Sequence, residues 1–376
     1  MSCDFAALAM QPVTGLTPYQ PGKPIEELAR ELGLDPARIV KLASNENPLG
    51  PSPGALSAVQ MALSESARYP DGNGFKLKQK LAARLGVEMA QITLGNGSND
   101  VLDLVARAFL GPGRSAVFAQ HAFAVYPIST QAVGAAARIA PAHDGSRGPR
   151  YGHDLAGMLA RVAEDTSVVF IANPNNPTGS WVGADELEDF LEALPERVIA
   201  VLDEAYFEYA EGNDYPDTLP WLDRFPNLII TRTFSKAYGL AGFRVGYGIS
   251  RPEVADLLNR VRQPFNVNSL ALAAAEAALD DEAYLQSSRE MNRAGLAQLT
   301  EAFRARGLAF IPSAGNFVTV DVGRDAGPVF DALLREGVIV RPLAGYALPD
   351  HLRVSVGTRA ENGVFIEALD RVLTGA

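Results

Sequence analysis

Three apolar runs, Val168–Ala172, Val198–Leu202 and Leu228–Ile230, recur about thirty residues apart, and each is followed by polar residues. A segment with helical character, Ala184–Leu194, lies between the first two. Short aliphatic runs that alternate with helices read as strands buried in a mostly parallel sheet with helices on both faces. The expected architecture is therefore α/β, a large αβα sandwich. In such sheets ligands sit beyond the carboxyl ends of the strands. The residues that follow the runs are the first candidates for a site.

The stretch from Leu228 to Gly248, LIITRTFSKAYGLAGFRVGYG, carries the most chemistry. Its strand is expected to end at Thr231. Thr233 and Ser235 then flank Lys236, and Gly239, Gly242 and Gly246 surround Arg244. Hydroxyls and a two-pronged guanidinium satisfy a phosphate dianion. A lysine held beside that phosphate can react with an aldehyde. Taken alone, a loop lysine is more simply a solvated charge. After the first run, Asn173-Pro174 and Asn176-Pro177 predict a rigid turn that admits cis peptides. After the second, Asp203 closes an apolar strand ahead of Tyr206 and needs a partner, either a protonated ring nitrogen or an arginine.

Upstream, Gly95-Asn96-Gly97-Ser98-Asn99-Asp100 precedes a helix whose apolar positions are Val101, Leu104, Val105, Ala108 and Phe109. Ser98 or Asn99 is expected to cap that helix, and its free N–H groups would attract an anion. Asp100 stands at the third glycine position of a dinucleotide fingerprint, which argues against one. Phe123 and Tyr126 follow a strand at Ala116–Ala119; either can stack on a flat ring or pack in the core. Asn45 and Asn47 lie in a turn-rich loop, where they either hold a substrate group or bond locally. A phosphate cradle, an acid, an amide, a tyrosine and a lysine meeting at one sheet edge suit pyridoxal 5'-phosphate.

Beyond Asn259 the pattern changes to the helices Ser269–Leu279 and Glu282–Arg306. Strand-like runs follow at Phe317–Asp321, Val338–Val340 and Leu352–Val356. The expected organisation is a proline-rich arm (1–44) packing on the small domain or a partner subunit, a large cofactor-binding domain (45–260) and a small α+β domain (261–376). The small domain carries Arg341 and Arg353. A net charge of -11 over 376 residues argues against nucleic acid or an anionic membrane as partner. Anionic substrates would then depend on a few placed arginines. The one cysteine, Cys3, cannot form an internal disulfide, and the four histidines lack metal-ligand spacing, so no metal is expected. No apolar run approaches a membrane span, and the cytoplasm is the expected compartment.

The motifs NPNNPTG (173–179), DEAY (203–206) and TFSKAYGLAGFRVGY (233–247) resemble those of the class I and II aminotransferases of fold type I, and the likeness extends over nearly the whole chain. The resemblance implies a catalytic set of Lys236, Asp203 and Tyr206. Lys236 would hold the cofactor as a Schiff base and move the substrate proton. Asp203 would pair with the ring nitrogen, and Tyr206 and Asn176 with the ring oxygen. Phe123 would cover the ring face. Gly97, Ser98, Asn99, Thr233, Ser235 and Arg244 would hold the phosphate. Tyr69 would reach the phosphate of a neighbouring subunit, which implies a homodimer with shared sites.

A finer resemblance, to the branch acting on L-histidinol phosphate, is carried by LTPYQPGKPIEEL (16–28), KLASNENPLGPSP (41–53), RYPDG (68–72) and LRVSVGT (352–358). It implies that Arg353, with Tyr19, Asn45 and Arg341, binds substrate. The implied reaction transfers an amino group from L-histidinol phosphate to 2-oxoglutarate, giving imidazole acetol phosphate and L-glutamate in two half-reactions. An aromatic amino-acid aminotransferase and a threonine-phosphate decarboxylase share the scaffold as alternative readings.

Overall fold

The structure, a computed structural model, describes residues 3–210, 212 and 214–375. Its centre is a seven-stranded sheet. In chain order the strands are β1 (Ile92–Gly95), β2 (Ser115–Ala119), β3 (Ala136–Ala140), β4 (Thr166–Ala172), β5 (Ile199–Asp203), β6 (Leu228–Thr233) and β7 (Gly246–Ser250). Their spatial order is β1-β7-β6-β5-β4-β2-β3, and β7 alone runs antiparallel to its neighbours.

Strict alternation along the strands builds a core on each face. Val169, Ile171, Ala200, Leu202, Leu228 and Ile230 join one cluster, with Leu77, Leu81, Leu187 and Phe190 from covering helices. Val168, Phe170, Val201 and Ile229 join the other, with Leu102, Val105, Tyr126 and Leu258. Each fully buried aliphatic side chain of this kind contributes about 1.5–3 kcal/mol. β6 runs two residues past the expected end at Thr231. Arg232 remains in the strand, buried, because Glu204 takes its guanidinium at 2.8 Å and Phe207 lies 3.7 Å beneath it.

The small domain holds a four-stranded antiparallel sheet in the order Arg341–Leu343, Leu348–Ser355, Phe317–Asp321, Phe310–Ile311. Its central strand starts four residues before the expected Leu352, taking in Pro349, Asp350 and His351. The helices Ala326–Arg335 and Arg359–Thr374 cover it. The arm joins this domain: Val40–Lys41 pairs in parallel with Val338–Ile339, and Leu28, Ala29, Ile39 and Ala43 pack with Ile339.

The expected domain boundary at 260/261 falls too early. The alanine-rich helix Ser269–Ala278 packs closely on Pro53–Ala62, and its Ala271, Ala274, Ala275 and Ala278 belong to the large-domain core. The long helix Glu282–Ala305 then passes between the domains: Leu285 is in the large core, Leu299 and Phe303 in the small one. The kink at 263–268 marks a local break in the chain, whereas the domain is set by where the alanine face is buried. No helix among the described residues is long and apolar enough to cross a membrane.

Candidate active site

A cavity of about 340 Å³ opens beyond the carboxyl ends of β4, β5 and β6, with one wall from the small domain. Its walls include Tyr19, Asn45, Ser98, Asn99, Phe123, Asn176, Asp203, Tyr206, Thr233, Ser235, Lys236, Arg244 and Arg353. Residues drawn from the arm, five strand ends and the last strand of the chain thus converge. The charged groups lining it are one acid and three bases, so a strongly acidic protein contains a cationic pocket.

Lys236 follows β6, and its Nζ donates to the Ser44 carbonyl at 3.3 Å and stands 5.6 Å from the centre of the Tyr206 ring. Burial, with Arg353 and Arg244 nearby, pulls its ammonium down to about 8, against the attraction of Glu46 and Asp203. A lysine tuned this way is in part a neutral nucleophile near neutral pH.

Asp203 ends β5, opposite Ala172 of β4 and Thr231 of β6. Its carboxylate accepts from the Tyr126 hydroxyl at 2.8 Å and the Thr231 hydroxyl at 3.0 Å. Burial pushes this carboxyl up from its usual range, while the two hydroxyls favour the charged form. Both donors are neutral, so the acid's charge is left for a cation on the cavity side. Tyr206 accepts from Asn45 Nδ2 at 3.0 Å, and burial raises its phenol to about 12, keeping it a donor.

The helix Ser98–Phe109 points its amino end into the cavity. Neither Ser98 nor Asn99 caps it, contrary to expectation. The N-cap is Gly97, with φ 80° and ψ 164° and no side-chain cap. The reason is crowding: a Cβ on Gly97 would lie 2.5 Å from Arg244 Nη2, and one on Gly246 would lie 2.4 Å from the Ser98 nitrogen. Without a side-chain cap, the Ser98 and Asn99 amides stay open to an anion, while the Asp100 amide donates to the Gly97 carbonyl at 3.2 Å. Arg244 donates to the Ser235 hydroxyl at 3.3 Å, and Thr233 Oγ1 accepts from the Ser235 amide at 3.1 Å. Gly97, Ser98, Asn99, Thr233, Ser235 and Arg244 thus stand together around the amino end of this helix.

Both Asn-Pro bonds after β4 are cis. Asn173 and Asn175 spend their amides on Val182, Thr178 and the His121 carbonyl. Asn176 faces the cavity, and its Oδ1 accepts from Arg353 Nη1 at 2.5 Å. Arg353 Nη2 donates to the Ala43 carbonyl at 2.5 Å, while its Nε is buried with no partner among the described residues. Asn45, at φ 54°, is fixed by Ser355 and Asn316.

Three expected residues lie outside this wall: Gly97, which caps the helix behind it, Arg341 and Tyr69. Arg341 donates to the Gln20 carbonyl and stands 5.6 Å from the centre of the Tyr19 ring, so it reaches the cavity only through Tyr19. Tyr69 is 82% exposed and stacks on Phe265 at 4.7 Å, on the outside of its own chain. The sequence reading missed Tyr126 as the partner of Asp203, along with the cavity-lining Ser44, Val125, Ile128 and Pro174. Tyr126 does not offer a ring face to the cavity; it stacks on Phe170 at 4.9 Å. A tyrosine that deep in the core must find a hydrogen-bond partner, and that was the available signal.

A doubly wound sheet whose strand ends gather a lysine, an acid and an anion cradle defines a cofactor-dependent group-transfer enzyme. The chain belongs to the aminotransferases of class I and II, whose family model matches residues 37–369. It is 68% identical over 369 residues to histidinol-phosphate aminotransferase 2 of Methylococcus capsulatus, covering 98% of this chain and 99% of that one. It is 64% identical over 373 residues to histidinol-phosphate aminotransferase 2 of Pseudomonas fluorescens, covering 99% of each. The crystal structure of histidinol-phosphate aminotransferase from Sinorhizobium meliloti in complex with pyridoxal-5'-phosphate superposes with a TM-score of 0.87, at 32% identity and 98% coverage of both chains.

Proposed function

We propose that this aminotransferase uses pyridoxal 5'-phosphate to move the amino group of L-histidinol phosphate to 2-oxoglutarate, as a cytoplasmic step of histidine biosynthesis. The observation that carries this reading is the cationic cavity, in which Asp203 lacks a cation and Arg353 holds an unpartnered Nε. High identity over the full length to relatives bearing that name supports it.

The residues fit the cofactor. Asp203 would complement a protonated ring nitrogen, and the open amides of Ser98 and Asn99, with Ser235 and Arg244, would hold its phosphate. Asn176 Nδ2 and the Tyr206 hydroxyl are free to meet the ring oxygen, and Phe123 to cover a ring face. When bound, pyridoxal 5'-phosphate supplies an aldehyde that exchanges amines and a ring that accepts the electron pair left at the substrate α-carbon.

Lys236 then has two tasks. It holds the aldehyde carbon until substrate arrives, and once displaced it takes the α-proton as a free amine. Its value of about 8 places both within reach of neutral pH. Arg353 binds the phosphate of L-histidinol phosphate in one half-reaction and a carboxylate of 2-oxoglutarate in the other. Arg341 stands opposite Arg353 in sheet register, with its guanidinium over the ring of Tyr19, which lines the cavity. Tyr69, exposed on its own chain, is assigned to the cradle of a second copy, which makes the functional unit a homodimer.

The test is an absorbance titration of the cofactor-loaded protein with L-histidinol phosphate, without keto acid. Conversion of the cofactor band, reversed by 2-oxoglutarate, is the expected result. A band that stays unchanged with histidinol phosphate yet converts with phenylalanine would move the assignment to an aromatic aminotransferase.

A further inference from the structure

We propose that Tyr126 is a positioning residue that keeps Asp203 ionised and aimed at the cofactor's ring nitrogen. This rests on the assignment of pyridoxal 5'-phosphate above. Tyr126 does not line the cavity; it is 1% exposed, in the first turn of the helix Val125–Ala132. Its ring is clamped, stacked on Phe170 at 4.9 Å and 9° and met edge-on by Phe123 at 6.0 Å and 88°. A ring so held has one hydroxyl direction, and that hydroxyl sits 2.8 Å from Asp203 Oδ2.

The other carboxylate oxygen is fixed by Thr231 Oγ1 at 3.0 Å, from the neighbouring strand. Two donors on two oxygens set both the plane and the charge of the acid. The need is real, because every other influence on Asp203 except its backbone contact and its basic neighbours works against ionisation. Burial disfavours the charge, and Glu204, next in sequence, adds like charge. The phenols Tyr206 and Tyr215 also face it, and of the cations Lys236 lies across the cavity while Arg232 is committed to Glu204. The Ala205 amide supplies the backbone contact.

Removing the Tyr126 hydroxyl leaves less to hold the carboxylate ionised, so the group binds its proton at higher pH. A protonated acid cannot pair with a protonated ring. The phenylalanine variant keeps the stacking on Phe170 and loses only the oxygen, which separates this role from packing. Phe123, at right angles to Tyr126, is expected to keep its place over the cavity.

The experiment measures pyridoxal 5'-phosphate affinity by tryptophan fluorescence of the cofactor-stripped protein, across pH, for the native chain and for Tyr126→Phe. The same pair is made in an Asp203→Asn background. Tyr126→Phe should weaken binding about tenfold at neutral pH. Its acid limb should move to higher pH, and in the Asp203→Asn background the change should fall below about twofold. An unmoved acid limb, or equal losses in both backgrounds, would overturn the proposal. A native chain that does not bind pyridoxal 5'-phosphate would overturn the cofactor assignment with it. Native binding with an unaltered Tyr126→Phe variant would remove this inference alone. Thr231→Val, which takes the hydroxyl from the other oxygen, should move the limb the same way.

Discussion

Arg353 Nη1 lies 2.5 Å from Asn176 Oδ1, tying a strand of the small domain to the turn after β4 of the large one. The second amino group of the same guanidinium takes the Ala43 carbonyl of the arm. Arg341 stands directly opposite on the adjacent strand, an arrangement of like charges that is unfavourable unless an anion joins them.

On the proposed reading that one charge-assisted site serves both substrates, Arg353→Ala is expected to lower kcat/KM by about 100-fold or more for both the amino donor and 2-oxoglutarate. Steady-state kinetics with each substrate varied in turn checks this. A loss confined to one substrate would contradict the shared site.

The pH dependence follows from Lys236. Its folded value of about 8 is below that of an ordinary lysine, so its neutral form gains population as pH rises through 8. Stopped-flow capture of pyridoxal 5'-phosphate by the stripped protein should accelerate across that range and level off above it. Lys236→Ala should abolish capture and reduce turnover by at least about 1,000-fold. A capture rate that keeps rising well beyond pH 9 would mean that burial has not tuned this amine.

Gly97→Ala tests the cradle. At φ 80° and ψ 164° a side chain costs about 1–3 kcal/mol in the backbone alone, and its Cβ would also collide with Arg244 Nη2. Thermal unfolding of the stripped protein should show a loss of that order, and pyridoxal 5'-phosphate affinity should drop about tenfold or more. An alanine variant with native affinity would place the phosphate elsewhere.

The proposed sharing of sites between two copies gives a complementation prediction. On that reading Tyr69→Ala damages the neighbour's cradle, whereas Lys236→Ala damages its own. Chains mixed after unfolding and refolding should form dimers with one intact site, restoring about a quarter of native turnover from two inactive parents. Absence of restored activity would place Tyr69 outside the partner's site.

Four strands of the sheet, β2, β4, β5 and β6, were legible because they are buried on both faces, so their aliphatic runs stand out without neighbours being known; β1, β3 and β7 were not read, and β3 is largely exposed. Lys236, Asp203 and Asn176 were legible for a related reason: each is the polar interruption that follows such a run. Long-range pairing was not visible. Arg232 looks like the end of a strand until Glu204 is seen to neutralise it, which is why β6 continues to Thr233. The cap at Gly97 was hidden by the same kind of distance, since the crowding comes from Arg244. Tyr126 was noticed as an aromatic, but its role depends on a hydroxyl meeting an acid 77 residues away. The boundary at 260 failed because a kink in the chain is local, whereas the burial of the helix Ser269–Ala278 is decided by a helix that begins at Pro53.

The consecutive carbonyls of Ala43 and Ser44 receive Arg353 and Lys236. During synthesis those two carbonyls leave the ribosome long before either cation exists. The second partner of the pair is 310 residues further along. The large sheet can form while the chain is still growing, yet the pocket has no complete wall until the last strand of the small domain arrives. A ribosome stalled before that strand would present a folded sheet with an unfinished cavity. The part of the wall that Arg353 supplies is thus the last to be completed as the chain is made.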